Sequence, residues 1–134
     1  MILVDSSVWI DFLNSSRGRG GNELERLIRS DAPLVLAGVI VTEVLQGLRR
    51  DVTEVGRLLA RWPLIEPGGY DTYLFAASIF RQARARGVTL ATVDALLASL
   101  AIEYRASLFS LDKDFERLAF SGLRLHEFED QGRS

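Results

Sequence analysis

Met1-Ile2-Leu3-Val4-Asp5-Ser6-Ser7-Val8 is the stretch whose reading decides the fold. Ile2 to Val4 is a short apolar run, the pattern of a strand buried on both faces, and Asp5-Ser6-Ser7 supplies residues of the type that cap a following helix. Val8, Trp9 or Ile10, Phe12 and Leu13 then recur at helical spacing. A buried strand that ends in an acid and turns directly into a helix is the first unit of an α/β chain.

The same unit repeats outward from there. Asn14 to Gly21 is predicted to be a flexible surface loop. It is rich in glycine, but it follows a helix and lacks the Gly-x-x-x-x-Gly-Lys-Ser/Thr pattern of a phosphate cradle. A helix is predicted from Asn22 to about Ser30, closed by Pro33, and Leu34-Val35-Leu36 is a second strand. Val39 to Leu48 reads as a helix with Glu43 among Ile40, Val44, Leu45 and Leu48, and Asp51 to Arg61 as another. Leu64-Ile65 is a short strand between prolines. The longest helical pattern runs from Tyr70 or Asp71 to Gly87, and Thr92 to Tyr104 follows it. Ser107 to Leu111 is a strand, Lys113 to Ala119 a short helix, and Leu123 to Phe128 a final edge strand. The expected class is α/β: three layers, α/β/α, around a central, mainly parallel sheet of four to five strands.

The chain has 134 residues, a length suited to one domain over residues 1–134, and no linker or internal repeat divides it. Charged residues interrupt every apolar run before it reaches membrane-spanning length, and the N-terminus lacks the basic and long apolar regions of a signal peptide. A cytoplasmic location with no membrane partner is expected. Cysteine is absent, which excludes disulfides, thiolate nucleophiles and zinc ribbons. His126 has no second His or Cys nearby and reads as an ordinary surface or strand-end residue. The net charge of −2 gives no global attraction to nucleic acid, so any such binding needs a local patch.

In an open α/β sheet, ligands bind beyond the carboxyl ends of the strands, so acids there are informative. Asp5 follows the first strand and Asp112 follows the strand ending at Leu111. Asp94 lies at the start of a helix, where it is either an N-cap or a site residue. Glu43 is either exposed on a half-buried helix or part of a groove, and Asp114 is either a cap or a further acid. Carboxylates drawn together raise one another's pKa unless a cation neutralises them, and hard Mg²⁺ or Mn²⁺ matches oxygen donors.

Four segments now carry a resemblance: Ile2-Leu3-Val4-Asp5-Ser6-Ser7-Val8, Thr42-Glu43-Val44-Leu45-Gln46-Gly47, Thr92-Val93-Asp94-Ala95-Leu96-Leu97-Ala98 and Phe109-Ser110-Leu111-Asp112-Lys113-Asp114-Phe115. In this order and over nearly the whole chain, they resemble the PIN domain, and within it the VapC-type toxins of prokaryotic toxin–antitoxin pairs. The resemblance implies that Asp5, Glu43, Asp94 and Asp112 are the acidic set, Asp114 an additional acid, and Ser6 and Ser110 small hydroxyl residues near the site.

It further implies endonucleolytic cleavage of RNA with one or two Mg²⁺ or Mn²⁺ ions. Asp5 and Asp94 would be direct metal ligands, Asp112 would complete the site, and Glu43 would ligate a second ion or orient water. Arg17, Arg19, Arg49 and Arg50 are candidate phosphate contacts. A homodimer and a VapB-type antitoxin partner are implied too, with Trp9, Phe12, Val44 and Leu48 as apolar anchors for an antitoxin peptide or simply as core. Two other readings stay open. Asp5 could be the nucleophile of a phosphatase or phosphoryl-transfer domain, although Asp5-Ser6-Ser7-Val8 lacks a second acid two residues on. The chain could also be a PIN-like binding module without catalysis.

Overall fold

A computed structural model describes residues 1–128. Its elements are β1 (Ile2–Val4), α1 (Ser6–Leu13), α2 (Arg19–Arg29), β2 (Leu34–Ala37), α3 (Gly38–Gln46), α4 (Val52–Leu59), β3 (Leu64–Ile65), α5 (Tyr70–Ala85), α6 (Thr92–Glu103) and β4 (Ser107–Phe109), then a 3₁₀ segment over Lys113–Ser121. The four strands form one sheet in the order β3-β2-β1-β4, and every pairing is parallel. Parallel neighbours need crossovers, and right-handed ones put α1 to α4 on one face and α5 with α6 on the other. Both faces are covered, which is why β2 is buried along its whole length and Leu3, Val4, Leu108 and Phe109 are fully enclosed.

The order places a switch point between β1 and β4. The chain runs outward from β1 through β2 to β3, then returns past its start to lay β4 on β1's free side. Connections diverge there and leave a crevice at the carboxyl ends. The register, Val4 against Phe109, brings the residues after both strands to that crevice, and the Asp5 N–H donates to Phe109 O at 2.8 Å. No described helix is long and apolar enough to cross a membrane.

Three expectations change. Asn14 to Gly18 is non-helical, as expected, but α2 begins at Arg19, and Gly20 and Gly21 are buried. The Asp11 carboxylate accepts N–H groups from Gly18 at 3.0 Å and Gly21 at 2.7 Å, so the preceding helix caps α2. A Cβ on Gly21 would stand 2.9 Å from the Asp11 backbone, so only glycine lets α1 and α2 approach this closely. Second, the expected edge strand over Leu123 to Phe128 reduces to one parallel bridge, Leu108 with Leu125. Leu108 N–H donates to Arg124 O at 2.9 Å and His126 N–H to Leu108 O at 2.8 Å, after which the rings of His126 and Phe128 pack on Phe109.

Third, His126 is not an ordinary surface residue. Its Nε2 lies 2.7 Å from Glu23, and only 14% of its side chain is exposed. The Glu23 carboxylate, 6% exposed, also accepts Arg26 Nε at 2.7 Å and Nη2 at 2.8 Å. Arg26, ahead of His126, outweighs burial and holds the Glu23 carboxyl below its ordinary value. The network fastens the segment after β4 to α2.

Candidate active site

Asp5 is where the crevice begins. It stands at the boundary between β1 and α1 in extended conformation, 6% exposed, but its carboxylate does not cap the helix. Instead Oδ2 accepts the Ser110 hydroxyl at 2.7 Å and the Ser7 hydroxyl at 2.9 Å. Ser7 Oγ in turn accepts the Leu111 N–H at 3.0 Å, and Ser110 Oγ accepts the Asp112 N–H at 3.0 Å. Two hydroxyls thus stitch the end of β1 to the end of β4 and fix the rotamer of the buried acid. Neither brings a countercharge.

Asp94 faces this pair from the first turn of α6, whose N-cap is Ala91 rather than Asp94. Burial raises the Asp94 carboxyl above its ordinary value. The charge of Asp112 adds to this, followed by Asp5 and Glu43, while a backbone hydrogen bond at Ala91 pulls the other way. Three acids, from the end of β1, from α3 and from the loop after β4, therefore act on Asp94 in α6. Among the described residues no cation figures in the charges felt by Asp94.

Asp112 caps the 3₁₀ segment: its Oδ1 accepts the Asp114 N–H at 2.9 Å. Asp112 therefore fills the capping role that was one of the two readings open for Asp114, and Asp114 is exposed and is not among the charges that act on Asp94. Beside Asp112 a cleft of about 560 Å³ runs past Arg19, Lys113 and Phe115 to His126 and Phe128. The donor set is all oxygen and all anionic, the chemistry that suits a hard divalent cation. Among the described residues no three acidic or histidine side chains converge into a ready coordination shell.

Residues 2–121 match the PIN domain. The chain belongs to the PIN-domain family. Within that family it is similar to Ribonuclease VapC11 of Mycobacterium tuberculosis and a VapC ribonuclease of Mycobacterium bovis. Each is 31% identical over 123 residues, covering 89% of this chain and 92% of the relative. Among solved PIN-domain structures, VapBC2 of Rickettsia felis, bound to a promoter DNA fragment, superposes with a TM-score of 0.75 at 18% identity, covering 96% of this chain and 100% of that one. VapC20 of Mycobacterium tuberculosis, a toxin that cleaves the sarcin-ricin loop, superposes at 0.65 with 21% identity, covering 87% and 94%. At such identities the superpositions speak to the fold.

Of the acids singled out in the sequence, Asp112, Asp5 and Glu43 are those whose charges reach Asp94, and Asp114 is not among them. Ser110 sits where expected, whereas the Ser6 hydroxyl makes no hydrogen bond among the described residues and Ser7 occupies the bridging place instead. The signal for Ser7 was the second hydroxyl after the strand-end acid, which one turn of helix swings back toward β4. Arg17 is committed elsewhere: it donates to Phe12 O at 2.7 Å and to Glu25 at 2.6 Å, and lies over the Phe12 ring. Trp9 and Val44 are core, at 0% and 1% exposure, and so cannot anchor a peptide, while Phe12 and Leu48 are half-buried.

Proposed function

We propose that this PIN domain is a metal-dependent endoribonuclease acting in the cytoplasm as the toxin of a VapB–VapC-type pair, with Asp5, Glu43, Asp94 and Asp112 as the acids that hold Mg²⁺ or Mn²⁺. The observation that carries the reading is the Asp94 carboxyl, raised by burial and by the charges of Asp112, Asp5 and Glu43 with no cation to offset them. Such a cluster is unfavourable to folding, and a bound cation reverses its sign. The VapC ribonucleases among its relatives support the choice of reaction and substrate.

When bound, the metal would supply a Lewis acid for the scissile phosphodiester. The residues of the chain do the rest. Ser7 and Ser110 hold Asp5 still, so its carboxylate needs no reordering to meet a ligand. Asp112, with Oδ1 committed to the Asp114 amide, keeps its other oxygen for the site. Glu43, half-buried on α3, would hold a second ion or orient water. Asp114 takes at most an auxiliary part.

An antitoxin partner is supported by the VapBC2 complex, and a homodimer by the exposed apolar side chains of Tyr70, Tyr73, Leu74 and Phe75 on α5. The deciding experiment is cleavage of total RNA by the purified chain. Cleavage is expected with Mg²⁺ or Mn²⁺, lost in EDTA, restored by re-addition and absent in Asp5→Asn. Unabated cleavage in EDTA would sink the metal, and RNA left intact by the metal-loaded wild type would sink the activity.

A further inference from the structure

A cluster of four acids repels the polyanion it is proposed to cut, so substrate must be held by cations that flank it. Of the sequence candidates, Arg17 is bound to Glu25 and to Phe12 O, and Arg50 lies 4.0 Å from Asp51. The longest stretch of the chain without an acid, Thr72 to Val93, holds Arg81, Arg84 and Arg86 and leads straight into the helix turn that carries Asp94.

The structure puts this stretch beside the acids. Thr72 O accepts the Ser99 hydroxyl near one end of the helix pair, and Arg81 shares a groove with Thr92 and Ala95 at the other, so α5 runs antiparallel to α6 and its last turns reach the Asp94 end. Arg117 joins from the 3₁₀ segment that follows Asp112, donating its Nη2 to Arg86 O at 3.4 Å. All four arginines are exposed, and none takes part in an ion pair among the described residues.

Two of them are already ordered. The Arg84 guanidinium lies 5.1 Å from the Phe80 ring centre, and that of Arg86 lies 4.0 Å from the Phe120 ring centre. Both rings are half-buried and packed on the core. Arg86 also donates Nη1 to Gln82 O at 3.2 Å, but stacking uses the flat face of a guanidinium and leaves its remaining N–H donors at the edge for phosphate, at a lower entropy cost for that contact.

We infer that Arg81, Arg84, Arg86 and Arg117 form the track that carries the single-stranded RNA substrate past the carboxylate cluster, binding its phosphates. The inference deepens the ribonuclease reading and rests on it for the identity of the polyanion. A positively charged surface that tracks the backbone is what single-stranded nucleic acid binding uses, and phosphate contacts are independent of base sequence.

The test is fluorescence anisotropy with a labelled single-stranded RNA of mixed sequence, titrated with the full chain in EDTA at several salt concentrations. In Arg84→Gln/Arg86→Gln/Arg117→Gln, removal of three phosphate contacts should flatten the slope of log K against log salt by about 2, at roughly 0.7 per contact for single strands. Arg29→Gln/Arg57→Gln/Arg124→Gln removes the same charge elsewhere and should keep the wild-type slope. Equal flattening in both triples would mean that net charge alone is read, and overturns the track.

Unfolding of the first triple does not rescue the proposal, because phenylglyoxal modification of the wild type, read by mass spectrometry, gives an independent answer. RNA should protect Arg84, Arg86 and Arg117, and protection confined to other arginines overturns the inference. The two readings also fail separately. A wild type that binds RNA through these residues and never cleaves it, with metal added, removes the ribonuclease and leaves the track. One that cleaves RNA while the first triple keeps the wild-type slope removes the track alone.

Discussion

Glu23 and Asp94 are both acids withdrawn from water, and their surroundings treat them in opposite ways. Glu23 receives the Arg26 guanidinium through two hydrogen bonds and the His126 ring through a third contact, and Arg26 above all holds its carboxyl down. Asp94 receives burial and three more negative charges, and its carboxyl is pushed up. One site is finished within the chain. The other has no offsetting cation among the charges it feels, and on the proposed reading a bound metal ion would supply one.

The sharpest way to break the comparison is to exchange the consequences. Asp94→Asn should lower RNA cleavage by at least about a hundredfold, as expected of a ligand if loss of an outer partner alone costs about 10- to 100-fold. Glu23→Gln should leave kcat close to the wild type. A Glu23→Gln enzyme as inactive as Asp94→Asn would erase the distinction. Ser110→Ala comes next, with cleavage down by roughly tenfold or more in kcat at nearly constant KM, as expected if Ser110 acts through its hydrogen bond to Asp5. Restoration by Ser110→Thr would separate a positioning hydroxyl from mere packing.

Stability should move in the opposite sense. Glu23→Gln removes charge-assisted hydrogen bonds from a buried site and should cost about 2 kcal/mol in urea unfolding at neutral pH. Because the folded Glu23 carboxyl lies below its ordinary 4.5, its contribution is present above that pH and is lost as pH falls through the lower folded value. The gap between wild type and Glu23→Gln should therefore close in acid. Asp94 carries the reverse sign. Its folded carboxyl lies above the ordinary 3.8, so the folded state takes up the proton first, and stability rises as pH falls through the folded value toward 3.8. In EDTA at neutral pH, Asp94→Asn should melt above the wild type, with the difference shrinking in acid. This is the smallest effect expected, and a variant that melts below the wild type would contradict it.

The fold was legible because β1, β2 and β4 are buried on both faces and so read as apolar runs, and because α3, α5 and α6 carry clear helical spacing. Asp5 and Asp112 could be found from strand-end position alone, since parallel pairing puts those ends at one edge. Glu43 and Asp94 could not, because a helix position does not say which end of the sheet it faces, and there the PIN-domain pattern carried the reading. What escaped depended on contacts between distant segments. Asp11 caps α2 from another helix, and no local signal announces it. Ser7 differs from Ser6 only in the direction its side chain leaves the helix. Leu123 to Phe128 has strand-like residues, yet its rings close over Phe109, leaving one bridge where a strand was expected.

The strand order has a consequence for how the protein is made. β1 is flanked by β2 and β4, so the pairing that shapes the crevice joins Val4 to Phe109. On the ribosome, Asp5 and Glu43 emerge well before the hydroxyl of Ser110 and the carboxylate of Asp112. Until β4 docks, the first strand has an open side and the acids have no common place to meet. A contact of such long range is slow to form and comes late in folding. A chain interrupted before residue 110 would carry three of the four acids, Asp5, Glu43 and Asp94, but no partner for the open side of β1, so the topology delays assembly of the cluster until β4 has been made.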